Sequence, residues 1–575
     1  MKVISFGILL VINLFLRSVQ CENLKLLILH NNDMHSRFEE TSRTSGTCKD
    51  KSNCYGGFGR VLHVVREARK AAADGTGPPV LFLNAGDTYT GTSWFSVHKW
   101  RIAADFMNLL QPDVAAFGNH DFDYGVAGLV PFLNAVNFPI VAANLNFENE
   151  PQLLAINVTR SHVLLVSGVK IGVIGYLTPE TADQSSPENV IFYNEIDSVR
   201  EESERLSKEG VKIIMALGHS GYEVDQKVAR EVPLVDVVVG GHTNTFLWNG
   251  PQPDLEEVGG PYPTIVEQDS GKQVPVVQAF AYTKYMGRLH LEFDPEGDLV
   301  AYGGEPQLMN RTVPQDPSAL DLLERYRPAV DALRTEIVGR SVADLSGSVT
   351  QCRLHECNFA NFVTDALIHN HVSSYQGEYW TDAPIALINA GTIRKGIRRK
   401  REGSVSKSDI YGAIPLEEPL YSMYLTGTEL IDTLEIGVRG KGDASSGEII
   451  HGSGLFYKYD LGKQVGSRVS DVKIRCGSCK VPTFGNISPN STYRIVTTAF
   501  LTKGGDGHTV LRDKGRNKTL EAASNWEAII RFFEKTSPIY PQEEGRVVLV
   551  VGSTSTASSL GSAICIFATL YLILV

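Results

Sequence analysis

Asp33 and His35 stand one residue apart in NNDMH, directly after the apolar run 24–29. Four further apolar runs end in the same way: 80–83 leads to Asp87, 114–117 to Asn119 and His120, 213–217 to His219, and 237–239 to His242. Carboxylate, amide and imidazole donors with no thiolate among them suit Zn, Mn, Fe or a related divalent ion. Asp87 offers two oxygens and could bridge two cations. A single H-x-D or G-H carries little weight; the ordered recurrence of strand followed by ligand carries much more.

The elements that must position these residues are legible around them. Short Val-, Ile- and Leu-rich runs bounded by Gly and separated by helical stretches such as RVLHVVREARKAAA (60–73) read as buried strands of an α/β sheet. Ligands of such sheets sit beyond the carboxyl ends of the strands, so these strand ends predict one polar, imidazole-rich pocket.

At 575 residues the chain exceeds what one core usually holds. We expect a layered α/β domain over 22–315 and an amphipathic bridging helix over 316–338. In that helix Asp316 serves as cap, Pro317 sits in the first turn, and Leu320, Leu323, Val330 and Leu333 share a face. A second domain over 339–549 mixes helical segments (NFVTDALIHNH, TGTELIDTLEIGV) with strand-like ones (PIALINAG, YRIVTTAF, RVVLVV).

The first 21 residues have one early Lys and a short apolar core, the layout of a secretory signal peptide. Residues 550–575 offer small residues, a Ser/Thr/Gly spacer and an apolar tail shorter than the ~20 residues of a membrane-spanning helix. That pattern predicts a removed GPI-attachment signal, with Ser553 or Ser555 as the attachment residue, and an extracellular, lipid-tethered or secreted product. Of 8 cysteines, Cys21 and Cys565 fall in these segments. The others form close pairs, Cys48 with Cys54, Cys352 with Cys357 and Cys476 with Cys479, read as disulfides of an oxidising compartment. A zinc ribbon at CGSC is the alternative reading, but it has no second pair nearby. Sequons at Asn157, Asn310, Asn486, Asn490 and Asn517 suit a glycosylated surface, with Pro489 weakening Asn486. The net charge of -11 argues against nucleic acid as a partner. The basic run RKGIRRKR (394–401) reads as a solvated loop.

In their order, DMH, GDTYTGT, GNHDFD, GHSGYE and VVVGGHTNTF resemble the calcineurin-like metallophosphoesterase domain of the 5'-nucleotidases. CRLHEC, NFVTDAL, NAGTIR and FLTKGGDG resemble that family's second domain. The resemblance implies a β-sandwich flanked by helices, a bridging helix, and a second α/β domain that binds the nucleoside. It implies two divalent ions, zinc foremost, with Asp33, His35 and Asp87 on one and Asp87, Asn119, His219 and His242 on the other. This chain has Asn244 where many members have a second histidine, so Asn244 or water would complete the first ion's shell. His120 would act on the phosphoryl or leaving oxygen with Asp123 orienting its ring. Arg37, Arg353 and Arg394 would contact phosphate, while Phe500 would stack on the base, Asn389 would contact it and Asp506 would bind the ribose. Where the family has a second aromatic after P-F-G-G-T, this chain reads PLEEPLY, which puts Leu420, with Tyr421 beside it, in the base clamp.

The implied activity is hydrolysis of nucleoside 5'-monophosphates, AMP above all, by a water activated between two metals. An apyrase acting on ATP and ADP is the alternative, and a non-enzymatic surface glycoprotein a more distant one. The resemblance also implies a possible homodimer.

Overall fold

The computed structural model describes residues 23–156, 158–440 and 447–550. The proposed signal peptide, the GPI signal and Asn157 lie outside the described residues. Within them, no helix is long and apolar enough to cross a membrane.

Two sheets face each other in the first half. One runs in the order Leu299–Gly304, Tyr285–Phe293, Leu24–Asn31, Val80–Asn84, Val114–Ala116, Ile140–Val141. The other runs Thr264–Glu267, Gln273–Val277, Val237–Val239, Ile213–His219, Val169–Leu177, Ser161–Val166. Their inner faces share one core, in which Leu26, Ile28, Leu83 and Val114 meet Val173, Met215, Leu217 and Val239. Helices Phe58–Ala73, Trp100–Leu110 and Gly125–Ala135 cover the outside of the first sheet. Helices Glu195–Lys208 and Tyr222–Glu231 cover the second. Strands with apolar neighbours on both sides must be apolar throughout, which is why they read as continuous runs.

Within each sheet the ligand-bearing strands are parallel. Leu24–Asn31, Val80–Asn84 and Val114–Ala116 pair in sequence, as do Ile213–His219 and Val237–Val239. Parallel pairing brings their carboxyl ends to one edge, and the ligand-bearing loops start there.

The bridging helix spans Pro317–Thr335, with the Asp316 carboxylate accepting the Ser318 N–H. Its buried face differs from the one the sequence suggested: Ala319, Leu322, Leu323 and Val330 are buried, whereas Leu320 is exposed and Leu333 only half-buried. The helix packs on Phe58–Ala73 of the first half and Lys407–Ala413 of the second. A flank of small and large side chains faces these two partners, and the Leu repeat alone does not reveal it.

The second half holds a five-stranded sheet in the order Ile450–Ser453, Ile385–Asn389, Thr492–Thr498, Pro419–Thr426, Arg516–Ser524. Helices Asn358–Ser374 and Asn525–Thr536 pack together on it. All three cysteine pairs are disulfide-bonded. Asn490 and Asn517 are exposed and Asn310 is half-buried.

Inside the Cys352–Cys357 loop, the buried Glu356 carboxylate ties this half together. It accepts N–H bonds from Glu544 (2.8 Å), Gly545 (2.7 Å) and Arg546 (3.0 Å), and one from Asn361 Nδ2 (2.6 Å). Glu356→Ala strands these donors, and we expect a loss of about 3 kcal/mol of unfolding free energy. Glu356→Gln, which keeps an acceptor, should lose less. Calorimetry of the two variants checks this order.

Candidate active site

Asp33 and Asp87 are each 1% exposed, and His219 is fully buried. Ligand atoms of these three converge within 4.8 Å of one another. His219 Nε2 lies 3.2 Å from Asp87 Oδ2 and 3.8 Å from Asp33 Oδ1. His35 Nε2 approaches the same two oxygens at 3.5 and 3.8 Å. Donor atoms about 3.3 Å apart are what tetrahedral ligation at ~2.0 Å demands.

The histidines are turned for this purpose. His219 Nδ1 donates to the Ala85 carbonyl (2.6 Å), which turns Nε2 toward the carboxylates, where this buried nitrogen has no hydrogen-bond partner. A buried, unpartnered nitrogen beside two carboxylates marks a place that a cation, or a proton in its absence, fills. The Asp33 carboxylate takes the His242 N–H (2.9 Å) and Asn32 Nδ2 (2.7 Å). His242 Nδ1 lies 3.0 Å from Asn119 Oδ1, and Asp87 Oδ1 accepts the His120 N–H at 2.9 Å. Asn119 and His242 thus adjoin the cluster.

The backbone is bent to achieve this. Asp33, His35, Asp87 and His242 all have positive φ (50°, 44°, 56° and 78°). Left-handed conformations are unfavourable for such residues and persist only where the surroundings impose them. Here the loops are cross-bonded: Asp33 N–H to Gly86 O (3.1 Å), His35 N–H to Asp87 O (2.9 Å) and Tyr282 N–H to Asp33 O (2.8 Å).

The charges are strongly coupled. Burial, reinforced by Asp87, raises Asp33 to about 6. Burial opposes a charge on His219, yet Asp87 and Asp33 raise it to about 10. Burial also opposes ionisation of Asp87, but His219 and His120 hold it well below the usual carboxylate range. Burial lowers His35 and His242 to about 3 and keeps both neutral.

His120 and Asp123 form a separate dyad. His120 Nδ1 meets Asp123 Oδ2 at 2.9 Å, Thr90 Oγ1 donates to the same oxygen (2.9 Å), and Ser185 Oγ donates to Oδ1 (2.9 Å). With Nδ1 engaged, Nε2 is the nitrogen left for a ligand. Burial disfavours the imidazolium, but Asp123 and then Asp87 outweigh it and raise His120 above its ordinary value.

One cavity of about 2500 Å3 joins this cluster to the second domain. Arg37, Arg353, Asn389, Arg394, Phe500 and Asp506 all line it. The Arg37 guanidinium donates to His35 O (2.6 Å) and lies 4.3 Å over the Tyr282 ring. Burial, then neighbouring Arg394, lowers Arg353 to about 10. Asn389 Nδ2 donates to Asp506 Oδ2 (2.6 Å), and Thr392 Oγ1 donates to Asn389 Oδ1 (2.8 Å).

The chain's similarities agree with this geometry. Residues 26–246 match the family described as Calcineurin-like phosphoesterase, and 337–513 match 5'-nucleotidase, C-terminal domain. Protein 5NUC of Lutzomyia longipalpis is 41% identical, covering 92% of this chain and 93% of its own length. The 5'-nucleotidase of Bos taurus is 37% identical over 92% of each chain. The chain belongs to the 5'-nucleotidase family. Its solved relatives include a 5'-nucleotidase precursor from Thermus thermophilus, at TM-score 0.79 and 32% identity, covering 92% of this chain and 99% of that one. As a 5'-nucleotidase family member it is a metal-dependent phosphoester hydrolase.

Two sequence readings need correction. Leu420 is fully buried in the core of the second domain, because the strand Pro419–Thr426 turns it inward opposite Thr498. Leu416 lines the cleft instead, as do Glu417 and Glu418. The basic run is not simply a solvated loop, since Arg394, Lys395, Arg398 and Lys400 line the same cleft.

Sequence reasoning passed over the residues that hold the ligand loops. Buried Asp121 accepts from Gly118 N (2.8 Å) and Tyr89 N (3.3 Å), tying the GNHDFD loop to GDTYTG. Asp225 accepts from the Tyr176 hydroxyl (2.7 Å) and Gln278 Nε2 (2.7 Å), and Gln278 also donates to Gly241 O (2.9 Å), behind His242. Only Asp121, inside a motif already noticed, left a signal.

Gly118 shows how little room remains, since a Cβ there would lie 2.0 Å from Asp87 Oδ1 and 2.2 Å from its backbone N. Gly118→Ala should therefore displace Asp87 and weaken metal binding by about 100-fold or more. Elemental analysis after dialysis, with circular dichroism to verify folding, checks this.

Proposed function

We propose that this protein is an extracellular 5'-nucleotidase that hydrolyses nucleoside 5'-monophosphates, chiefly AMP, to nucleoside and phosphate. The observation that carries this reading is the shared cavity, which has carboxylates and imidazoles on one domain and Asn389, Phe500 and Asp506 on the other. Asp33, His35 and Asp87 would hold one ion, and Asp87, Asn119, His219 and His242 the second. Asn244, whose buried Oδ1 has no hydrogen-bond partner and which lines the cleft, is suited to complete the first ion's shell. Imidazole nitrogens and carboxylate oxygens without a thiolate suit zinc, the ion we propose as foremost. When bound, such a pair of ions supplies a water activated at neutral pH and countercharge for the phosphate.

The protein's own groups do the rest. Arg37, Arg353 and Arg394 grip phosphate oxygens as planar donors. His120, its Nδ1 held by Asp123, presents Nε2 to the phosphoryl or leaving oxygen and stabilises the charge that develops there. The Phe500 ring gives the base a stacking surface, while Asp506 and Asn389 offer hydrogen bonds to ribose and base. We further propose a GPI-tethered, glycosylated protein able to form a homodimer.

A second reading is favoured by one feature of the cleft. Lys395 and Arg398 line it in addition to the three arginines and offer countercharge to further phosphates. An apyrase of Tabanus yao is 36% identical, covering 91% of this chain and 94% of its own. Phosphate release from AMP, ADP and ATP, measured side by side, separates the readings: AMP should be the best substrate, and a preference for ADP or ATP would reverse the assignment. Chelation should abolish release and zinc restore it. His120→Ala should lower kcat by about 100-fold or more with metal content unchanged.

A further inference from the structure

Pro415, Leu416, Glu417 and Glu418 form a wall of the cleft that is fastened along its length. Trp526 Nε1 donates to Ile414 O (2.7 Å), and the Tyr124 and Ser96 hydroxyls both donate to Pro415 O (3.3 Å each). Asn525 Nδ2 donates to Leu416 O (3.0 Å), and the Glu418 N–H donates to Asn525 Oδ1 (2.9 Å). Glu418 Oε2 then accepts the N–H of Phe500 at 2.9 Å.

Glu418 therefore spans from the segment that carries Leu416 to the residue that carries the phenyl ring. A planar base held against Phe500 and Leu416 offers them its faces and turns an edge to the group that joins them. We propose that Glu418 is a base-specificity residue whose carboxylate accepts an N–H from the edge of the nucleobase, favouring bases with an amino donor there. This rests on the reading of the chain as a hydrolase of nucleoside monophosphates.

The chemistry is directional. An ionised carboxylate only accepts, and a charge-assisted bond to it is roughly twice as strong as a neutral one. Adenine's sole base N–H donors are those of its 6-amino group, so a purine ring lacking that group leaves the acceptor without a base partner. The second domain thus selects by donor chemistry as well as by stacking.

The surroundings of Glu418 set when it is ionised. Glu418 lines the cavity, and burial raises its carboxyl to about 7. The Phe500 N–H, the Thr498 hydroxyl and Lys503 favour its charge, whereas Asp123 across the cleft opposes it. Glu417 stands beside it, with Oε1 accepting from Ser524 Oγ at 3.1 Å. The charged form therefore grows as pH rises through about 7. Preference for the amino-bearing base should grow in the same direction.

The test compares kcat/KM for AMP and for purine riboside 5'-monophosphate, which lacks only the 6-amino group, from about pH 6 to about pH 8. Ribose and phosphate are common to both, so titrations at the metal cluster cancel in the ratio. The wild-type protein should favour AMP by about tenfold or more at the higher pH and by less at the lower. In Glu418→Gln, which keeps an oxygen for the Phe500 N–H, the ratio should fall to about threefold or less and lose its pH dependence. A wild-type ratio near one at every pH, or a Glu418→Gln ratio like that of the wild type, overturns the proposal while leaving nucleotide hydrolysis standing. Failure to hydrolyse any nucleoside monophosphate overturns the underlying reading as well. Should Glu418→Gln not fold, the wild-type pH dependence of the ratio decides alone.

Discussion

Two carboxylates share one buried point with two imidazoles, and the rest of the first domain is arranged to keep them there. Asp33 and Asp87 are almost inaccessible to solvent, and among the described residues neither is paired with Lys or Arg. Burial and the neighbouring Asp87 both oppose a charge on Asp33, which is raised, while His219 and His120 hold Asp87 ionised. A divalent cation is the simplest solution, since it satisfies both oxygens and the unpartnered His219 Nε2 together. The cluster thus holds buried carboxylate charge that a divalent cation neutralises more fully than the neighbouring imidazoles do.

Maintaining that cluster requires a stiff frame. Left-handed backbone at four of the ligand residues costs about 1–3 kcal/mol each, and it survives because both sheets are closed against one core beneath it. The loops have no slack: Gly118 lies against Asp87, and Asp225 stands where a Cβ on Gly240 would come within 1.8 Å of its carboxylate. These close approaches explain why glycine accompanies nearly every ligand motif. Strain of this kind is useful at a reacting centre because the ligands are already aimed before anything binds.

The strand-end motifs were readable because parallel, doubly covered strands have an unmistakable composition and because their carboxyl ends must coincide. Asp225 and Gln278 were not, since they act on His242 through contacts between segments far apart in the chain. Leu420 was misplaced for a different reason. The family's motif, carried onto PLEEPLY, puts Leu420 in the clamp, whereas its pairing with Thr498 turns it into the core and leaves Leu416 on the cleft. In the bridging helix several faces carry leucine, and the helices packed on it from both halves select the one with Ala319 and Leu322.

In the proposed reading, phosphate chemistry and base recognition would lie on different domains, so their alignment has to be mechanical. Tyr124 follows Asp123 directly in the chain, and its hydroxyl donates to the Pro415 carbonyl of the base wall. The same short loop therefore orients the His120 ring from one side chain and registers Leu416 and Glu418 from the next. A shift of the second domain that breaks the Tyr124 bond also removes the base wall from its place opposite the dyad. On that reading, reaction geometry and nucleoside binding would be coupled through adjacent residues, without any long chain of intermediates.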